Sequence, residues 1–319
     1  MDISQLKAPL FVSWQLTRDC DLSCLHCCSE SAPGRKLPAE LSREEALRLA
    51  GDFVDAGVPY VMLCGGEPLV VPHFFEVAEL LGAGGVQLKI ETNGQRFGSE
   101  EARRLSRLPI RSVQVSLDGA TPEAYRSLRP NGSLEKALGA CRAAKEAGLP
   151  LEITFAPCRM NLHEAEALID LALELGAFRF NTGMLMRLGT AVRFWDRLAP
   201  SAEEYERFFA MLERREAELA GRLELKFRPR SIEEALEAQL SKAPATLLVM
   251  PEGLVKVSGS LAFICADLRT QSVQKAWGRY LSAAGSLRKF DAASLIRGEE
   301  NAINSASSGS SQAVAQETR

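Results

Sequence analysis

Cys20, Cys24 and Cys27 crowd one short stretch, at gaps of four and three residues. Thiolates are soft ligands that hold iron–sulfur clusters or zinc. Three of them at this spacing can wrap one face of a cubane cluster and leave its fourth iron without a protein ligand. An open iron is where a small molecule can bind and receive an electron, so the pattern points to catalysis rather than simple electron carriage. The competing reading is a structural zinc knot, which normally takes four ligands. His26 or Cys28 would have to supply the fourth, and Cys28 is poorly placed for it because it follows Cys27 directly.

Around this stretch lies a 319-residue chain, 46% hydrophobic and 25% charged, with a net charge of −3. Those figures fit a globular protein with a sizeable core, and the charge gives no reason to expect nucleic acid or a membrane surface as partner. Neither a signal-peptide pattern nor a bilayer-length apolar run is present, which points to the cytoplasm. Of eight cysteines, four fall between 20 and 28, a clustering that suggests a metal site rather than a disulfide framework.

Apolar stretches at 10–16, 60–64, 86–91, 112–117, 151–156 and 178–182 read as strands, and amphipathic helices lie between them. The helix after residue 42 opens with Ser42 and Glu45 as a capping box, and another begins at Ser99. Such alternation predicts an α/β fold, a partial (β/α)6 TIM-like barrel over 1–200. Beyond it, 201–300 reads as a small C-terminal α/β cap: a charged helix from Ser201, a strand near 223–227, a hairpin over 247–257 and a last helix from Ser272. The polar stretch 301–319 is expected to be disordered.

In barrels of this kind the working residues sit at the C-terminal ends of the strands. Sorted that way, the first strand leads into the cysteines and the second into Gly65-Gly66-Glu67-Pro68. The third ends at Thr92-Asn93, the fourth at Ser116 and Asp118, the fifth at Cys158, and Arg187 follows the sixth. Cys-x3-Cys-x-His-Cys followed by Gly-Gly-Glu-Pro resembles the radical S-adenosylmethionine (SAM) superfamily over about residues 10 to 190. The resemblance implies one [4Fe–4S] cluster on Cys20, Cys24 and Cys27, with SAM chelating the fourth iron. Reductive cleavage of SAM there would give a 5′-deoxyadenosyl radical that takes a hydrogen atom from substrate. Glu67 and nearby backbone carbonyls would accept from the methionyl amino group. Thr92, Asn93, Ser116 and Asp118 would meet the methionine or ribose, and Arg187 the SAM carboxylate or an anionic substrate.

The stretch 250–255, with Ala266-Asp267-Leu268 and Trp277, is similar to the SPASM/twitch extension of peptide- and cofactor-maturing members. That extension normally carries cysteines for an auxiliary cluster, and Cys265 is the single cysteine after residue 200 here, so no second cluster is expected. The leading substrate expectation is a ribosomally made peptide or a cofactor precursor. The alternative is a small metabolite such as a sugar, nucleoside or tetrapyrrole. A different class again would be a non-catalytic iron–sulfur or zinc protein. A reductant such as flavodoxin or ferredoxin is the implied protein partner. Cys158 and Cys265 are candidate hydrogen-atom donors, whereas Cys28 and Cys64 read as packing residues.

Overall fold

The computed structural model describes residues 6–298, so the tail expected at 301–319 lies outside the described residues. Ten strands form one sheet: β1 Phe11–Gln15, β2 Tyr60–Cys64, β3 Gln87–Thr92, β4 Ile110–Ser116, β5 Leu151–Thr154, β6 Arg179–Gly183, β7 Glu224–Arg228, β8 Thr246–Val249, β9 Leu254–Lys256 and β10 Ile264–Asp267. Their order is β10-β9-β8-β1-β2-β3-β4-β5-β6-β7. Every neighbour from β8 round to β7 is parallel, and only β9 and β10 pair antiparallel. The six expected strands are the middle of this run, joined by helices as a parallel sheet requires.

Residue 200 marks a change of rhythm in the sequence, but the sheet runs across it. The strand expected near 223–227 becomes β7 and pairs with β6. The first arm of the expected hairpin, β8, pairs with β1 as well as with β9. One apolar core runs from Val12 to Leu295 and takes in residues from both halves.

Side chains on a strand alternate between faces, and here the alternation separates two chemistries. Val12, Trp14, Val61, Leu63, Leu88, Ile90, Val113, Val115, Ile153 and Phe180 are buried against the helices. Trp14, for example, meets Phe53 of the helix Arg43–Asp55 edge-on at 5.5 Å. The opposite parity carries Ser13, Met62, Cys64, Lys89, Glu91, Gln114, Glu152 and Asn181, which line the concave side, the lumen.

The helix ends largely follow the sequence. Ser42 with Glu45 and Ser201 with Glu204 both form reciprocal capping boxes. At the third helix, Gly98 is the cap and Ser99 the first helical residue, because Glu101 reaches back to the Gly98 N–H. A short helix, Pro122–Leu128, was not expected; Thr121 caps it and Pro122 opens it. No helix among the described residues is long and apolar enough to cross a membrane.

Candidate active site

Strand β1 ends at Gln15, and the cysteine loop follows on the rim where the other strand ends gather. Two glycines set how closely the next loop can approach it. Gly65 has φ +131°, and a Cβ there would stand 2.6 Å from the Thr17 carbonyl oxygen. A Cβ on Gly66 would stand 2.0 Å from that of Asp19. With no side chains in the way, the Gly66 N–H donates to Thr17 O at 2.7 Å and the Glu67 N–H to Asp19 O at 3.0 Å. The close approach that the paired glycines permit is therefore to the backbone just before Cys20.

Glu67 is fully buried and its carboxylate is largely spent within the protein. It accepts from Thr92 Oγ1 at 2.8 Å, the Asn93 N–H at 2.8 Å and the Leu69 N–H at 3.2 Å. A carboxylate has about four acceptor positions, so at most one is left for a ligand. Burial pushes its pKa up to about 7, against those three hydrogen bonds. Pro68 opens a short turn that Glu67 itself caps. In this arrangement Glu67 pins the end of β2 to the end of β3.

Asn93 continues the chain of contacts. Its Nδ2 donates to Asp21 Oδ1 at 2.7 Å and lies 3.6 Å from Cys20 Sγ, while its Oδ1 accepts from the Gln95 N–H. The Leu22 N–H reaches the same sulfur at 3.4 Å, and Ser29 Oγ stands 3.3 Å from Cys27 Sγ. Burial pushes Cys20 up to about 12 and Cys24 up to about 11, and Arg129 works the opposite way on Cys24.

Asp118 has a different setting from that expected of a ribose contact. It is 1% exposed, and its Oδ2 accepts from Arg129 Nε at 2.7 Å, Arg129 Nη2 at 2.6 Å and His26 Nε2 at 3.0 Å. The Ala156 N–H takes Oδ1. Burial works against its charge, but Arg129 and then His26 hold the carboxyl well below the usual range. The cysteine loop is thus tied through His26 to the ends of β4 and β5. Nothing in the sequence distinguished Arg129, the residue just after an unexpected helix, as the partner.

A further tie comes from the loop after β6. Gly189, at φ +56°, would place a Cβ 2.6 Å from the carbonyl oxygens of Cys27 and Cys28, and the Thr190 N–H donates to Cys27 O at 2.8 Å. Ser116 stands half-buried at the end of β4. Arg187 is exposed, with its guanidinium 5.6 Å from the centre of the Trp195 ring. Cys158 is fully buried in a small apolar group with Leu128, Ala191 and Leu198. Cys265 hydrogen-bonds Val255 O within the β9–β10 pair. The candidate donors therefore face packing, whereas Cys64 has lumen parity and Cys28, next to Cys27, is exposed.

The residues fit an iron–sulfur cluster. The donor set is three thiols, N–H groups are directed at the Cys20 sulfur, and buried Arg129 acts on Cys24 with the charge that anionic thiolates require. Among the described residues no three His, Cys, Asp or Glu side chains converge as a lone ion would need. A cubane instead takes its thiolates at three separate irons.

Residues 14–172 match the Radical SAM superfamily. The chain carries a radical SAM domain and belongs to that superfamily. It is 34% identical over 208 residues to the mycofactocin maturase MftC of Mycobacterium tuberculosis, covering 65% of this chain and 52% of that protein. It is 31% identical over 207 residues to the AdoMet-dependent heme synthase of Methanosarcina barkeri, covering 64% and 58%. The match to each thus spans little more than half of the relative's length. In fold it is similar to SuiB of Streptococcus suis, solved with bound S-adenosylmethionine: TM-score 0.70, 15% identity, 89% of this chain and 68% of that one. This family of enzymes works with a [4Fe–4S] cluster and SAM, the cofactors expected from the sequence.

Proposed function

We propose that this chain is a radical SAM enzyme that modifies a peptide, with Cys20, Cys24 and Cys27 holding its cluster. The observation that carries the reading is the mutual bracing of the cysteine loop and the Gly65-Gly66-Glu67-Pro68 loop through Thr17, Asp19, Thr92 and Asn93. Cys20, Cys24 and Cys27 would hold the cluster, which with SAM would supply one-electron reductive cleavage and, through it, hydrogen-atom abstraction from the substrate. The chain's own residues do the positioning. Asn93 and the Leu22 N–H orient Cys20, and Asp118 fixes His26 and Arg129 beneath Cys24. Glu67 keeps the second loop in place and offers its remaining acceptor position to the methionyl amino group. Ser116 is the ribose contact, and Arg187 the exposed cation available to an anionic group.

A peptide substrate is supported by the likeness to a mycofactocin maturase. A tetrapyrrole is the second reading, favoured by the comparable likeness to a heme synthase. Residues 201–298 extend the wall of the lumen and hold no auxiliary cluster of their own, since Cys265 is their single thiol. The electron comes from a low-potential carrier such as flavodoxin or ferredoxin, and the cytoplasm, where thiols stay reduced, is the proposed location.

The test is anaerobic. The protein is reconstituted with iron and sulfide, reduced with dithionite and given SAM, and 5′-deoxyadenosine is assayed by mass spectrometry beside Cys24→Ala. Four irons per chain, SAM binding and cleavage in the wild type, all lost in the variant, are expected. Zinc without iron, or a loaded cluster that binds no SAM, would overturn the reading.

A further inference from the structure

The inner wall of the barrel carries several charges, and nearly all are already matched. Glu152 on β5 accepts from Lys89 Nζ at 3.0 Å, Asn181 Nδ2 at 2.8 Å and Arg179 Nη1 at 3.4 Å. Arg179 is shared with Glu224, and Lys89 with the side-chain oxygen of Gln114 at 2.8 Å. Burial opposes the Glu152 charge, but Ser112, Lys89 and Asn181 outweigh it and keep its pKa below the ordinary value.

Glu91 is treated differently. It lies in register with Gln114 on β4, one residue beyond the Leu63–Ile90 pair that aligns β2 with β3, which brings it beside Cys64. Its Oε1 accepts one hydrogen bond, from Gln114 Nε2 at 3.0 Å, a neutral donor. Among the described residues no Lys, Arg or His forms an ion pair with it, and Lys89 acts on it only at longer range. Burial raises its pKa accordingly. Its charge also reaches Cys64 and Cys28, so it stands in the lumen between the cysteine loop and the Lys89–Glu152 pair. A half-buried carboxylate with one neutral partner carries a desolvation cost that a cation arriving in the lumen would offset. A polycarboxylate arriving there would meet like charge.

We infer that Glu91 is the substrate-binding carboxylate of the lumen and receives a cationic nitrogen, an ammonium or guanidinium carried by a peptide side chain. The inference rests on the radical SAM reading and names the chemistry of its substrate.

Three probes test it on the reconstituted protein with SAM bound, by titration calorimetry: Nα-acetyl-lysine methylamide, its neutral counterpart Nα-acetyl-norleucine methylamide, and coproporphyrin III. The lysine probe is expected to bind about tenfold or more tighter than the norleucine probe, the usual scale of one charge-assisted contact. Glu91→Gln erases the difference, and Glu91→Asp, which keeps the charge, retains it. Circular dichroism verifies that both variants fold. Equal affinity for the two amides, no binding of either, a preference that survives Glu91→Gln, or tighter binding of coproporphyrin III would overturn the inference. Iron content and SAM binding are read on the same samples. Their loss in the wild type sinks the radical SAM reading, whereas a loaded protein with no preference for the cation sinks the inference alone.

Discussion

The rim carboxylates and Glu91 of the lumen are held in opposite ways, whereas Glu152, its lumen neighbour, is as fully matched as those on the rim. On the rim, Asp118 has three contacts at one oxygen, two from Arg129 and one from His26, and Glu67 accepts three hydrogen bonds, from Thr92, Asn93 and Leu69. In the lumen, Glu91 has a single neutral partner. The rim is built to keep its own shape, and polar groups there serve as fasteners between loops. The lumen leaves a charge uncommitted, which is the expected signature of a surface waiting for a ligand.

Substitutions break the comparison most sharply at Asp118. Asp118→Ala leaves Arg129, itself buried, without its partner. Removing one member of a buried pair costs about 3–5 kcal/mol. Urea unfolding should report a loss on that scale, with reduced iron loading, because His26 is released as well. An unchanged midpoint would mean the rim is not held in this way.

Glu67 gives a smaller, pH-dependent effect. Its folded pKa, about 7, lies above the ordinary 4.5, so the folded state holds the proton more tightly than the unfolded chain. The stability it contributes is full below about pH 4.5 and is lost as pH rises through about 7. Glu67→Gln removes that dependence. The stability difference between variant and wild type should therefore move in the variant's favour by about 2 kcal/mol between pH 5 and pH 8. A flat difference across that range would show that the carboxyl is not strained by burial.

The smallest effect is expected in the lumen, with the opposite sign. Glu91→Gln keeps the oxygen that accepts from Gln114 and deletes an unpaired charge, so stability at pH 8 should rise by up to about 1 kcal/mol. Thermal unfolding measures it. Destabilisation of more than 1 kcal/mol would place Glu91 among the fasteners and erase the contrast.

Much of the rim was legible because strand ends announce themselves. Apolar runs stop at Cys64, at Glu91 and at Leu117, and the polar residues that follow converge on one edge in the fold. The partners were not legible. Asp118 reads as an available carboxylate until Arg129 arrives from a helix whose only signals are Thr121 and Pro122. The surroundings of the donor candidates were hidden for a related reason. Nothing local shows that Cys158 turns into an apolar pocket, whereas the parity of Cys64 with Met62 along β2 could have been counted. The division near residue 200 followed a real change in helix–strand rhythm. It missed that β8 finds β1, because a pairing across so long a stretch leaves no trace in composition.

That pairing also has a consequence for timing. β1, which leads directly into the cysteines, is flanked by β2 on one side and by β8 on the other. Leu10 and Phe11 both donate to Ala245 O, and Trp277 Nε1 donates to Leu6 O across 271 residues. As the chain leaves the ribosome, β1 can gain its first neighbour early but waits for nearly the whole barrel before it gains the second. The strand that leads into the three cysteines is thus among the last to be clamped on both sides. Completion of the cysteine loop is coupled to completion of the fold, so a truncated or stalled product would present its three thiols on a loop that follows a strand only half secured.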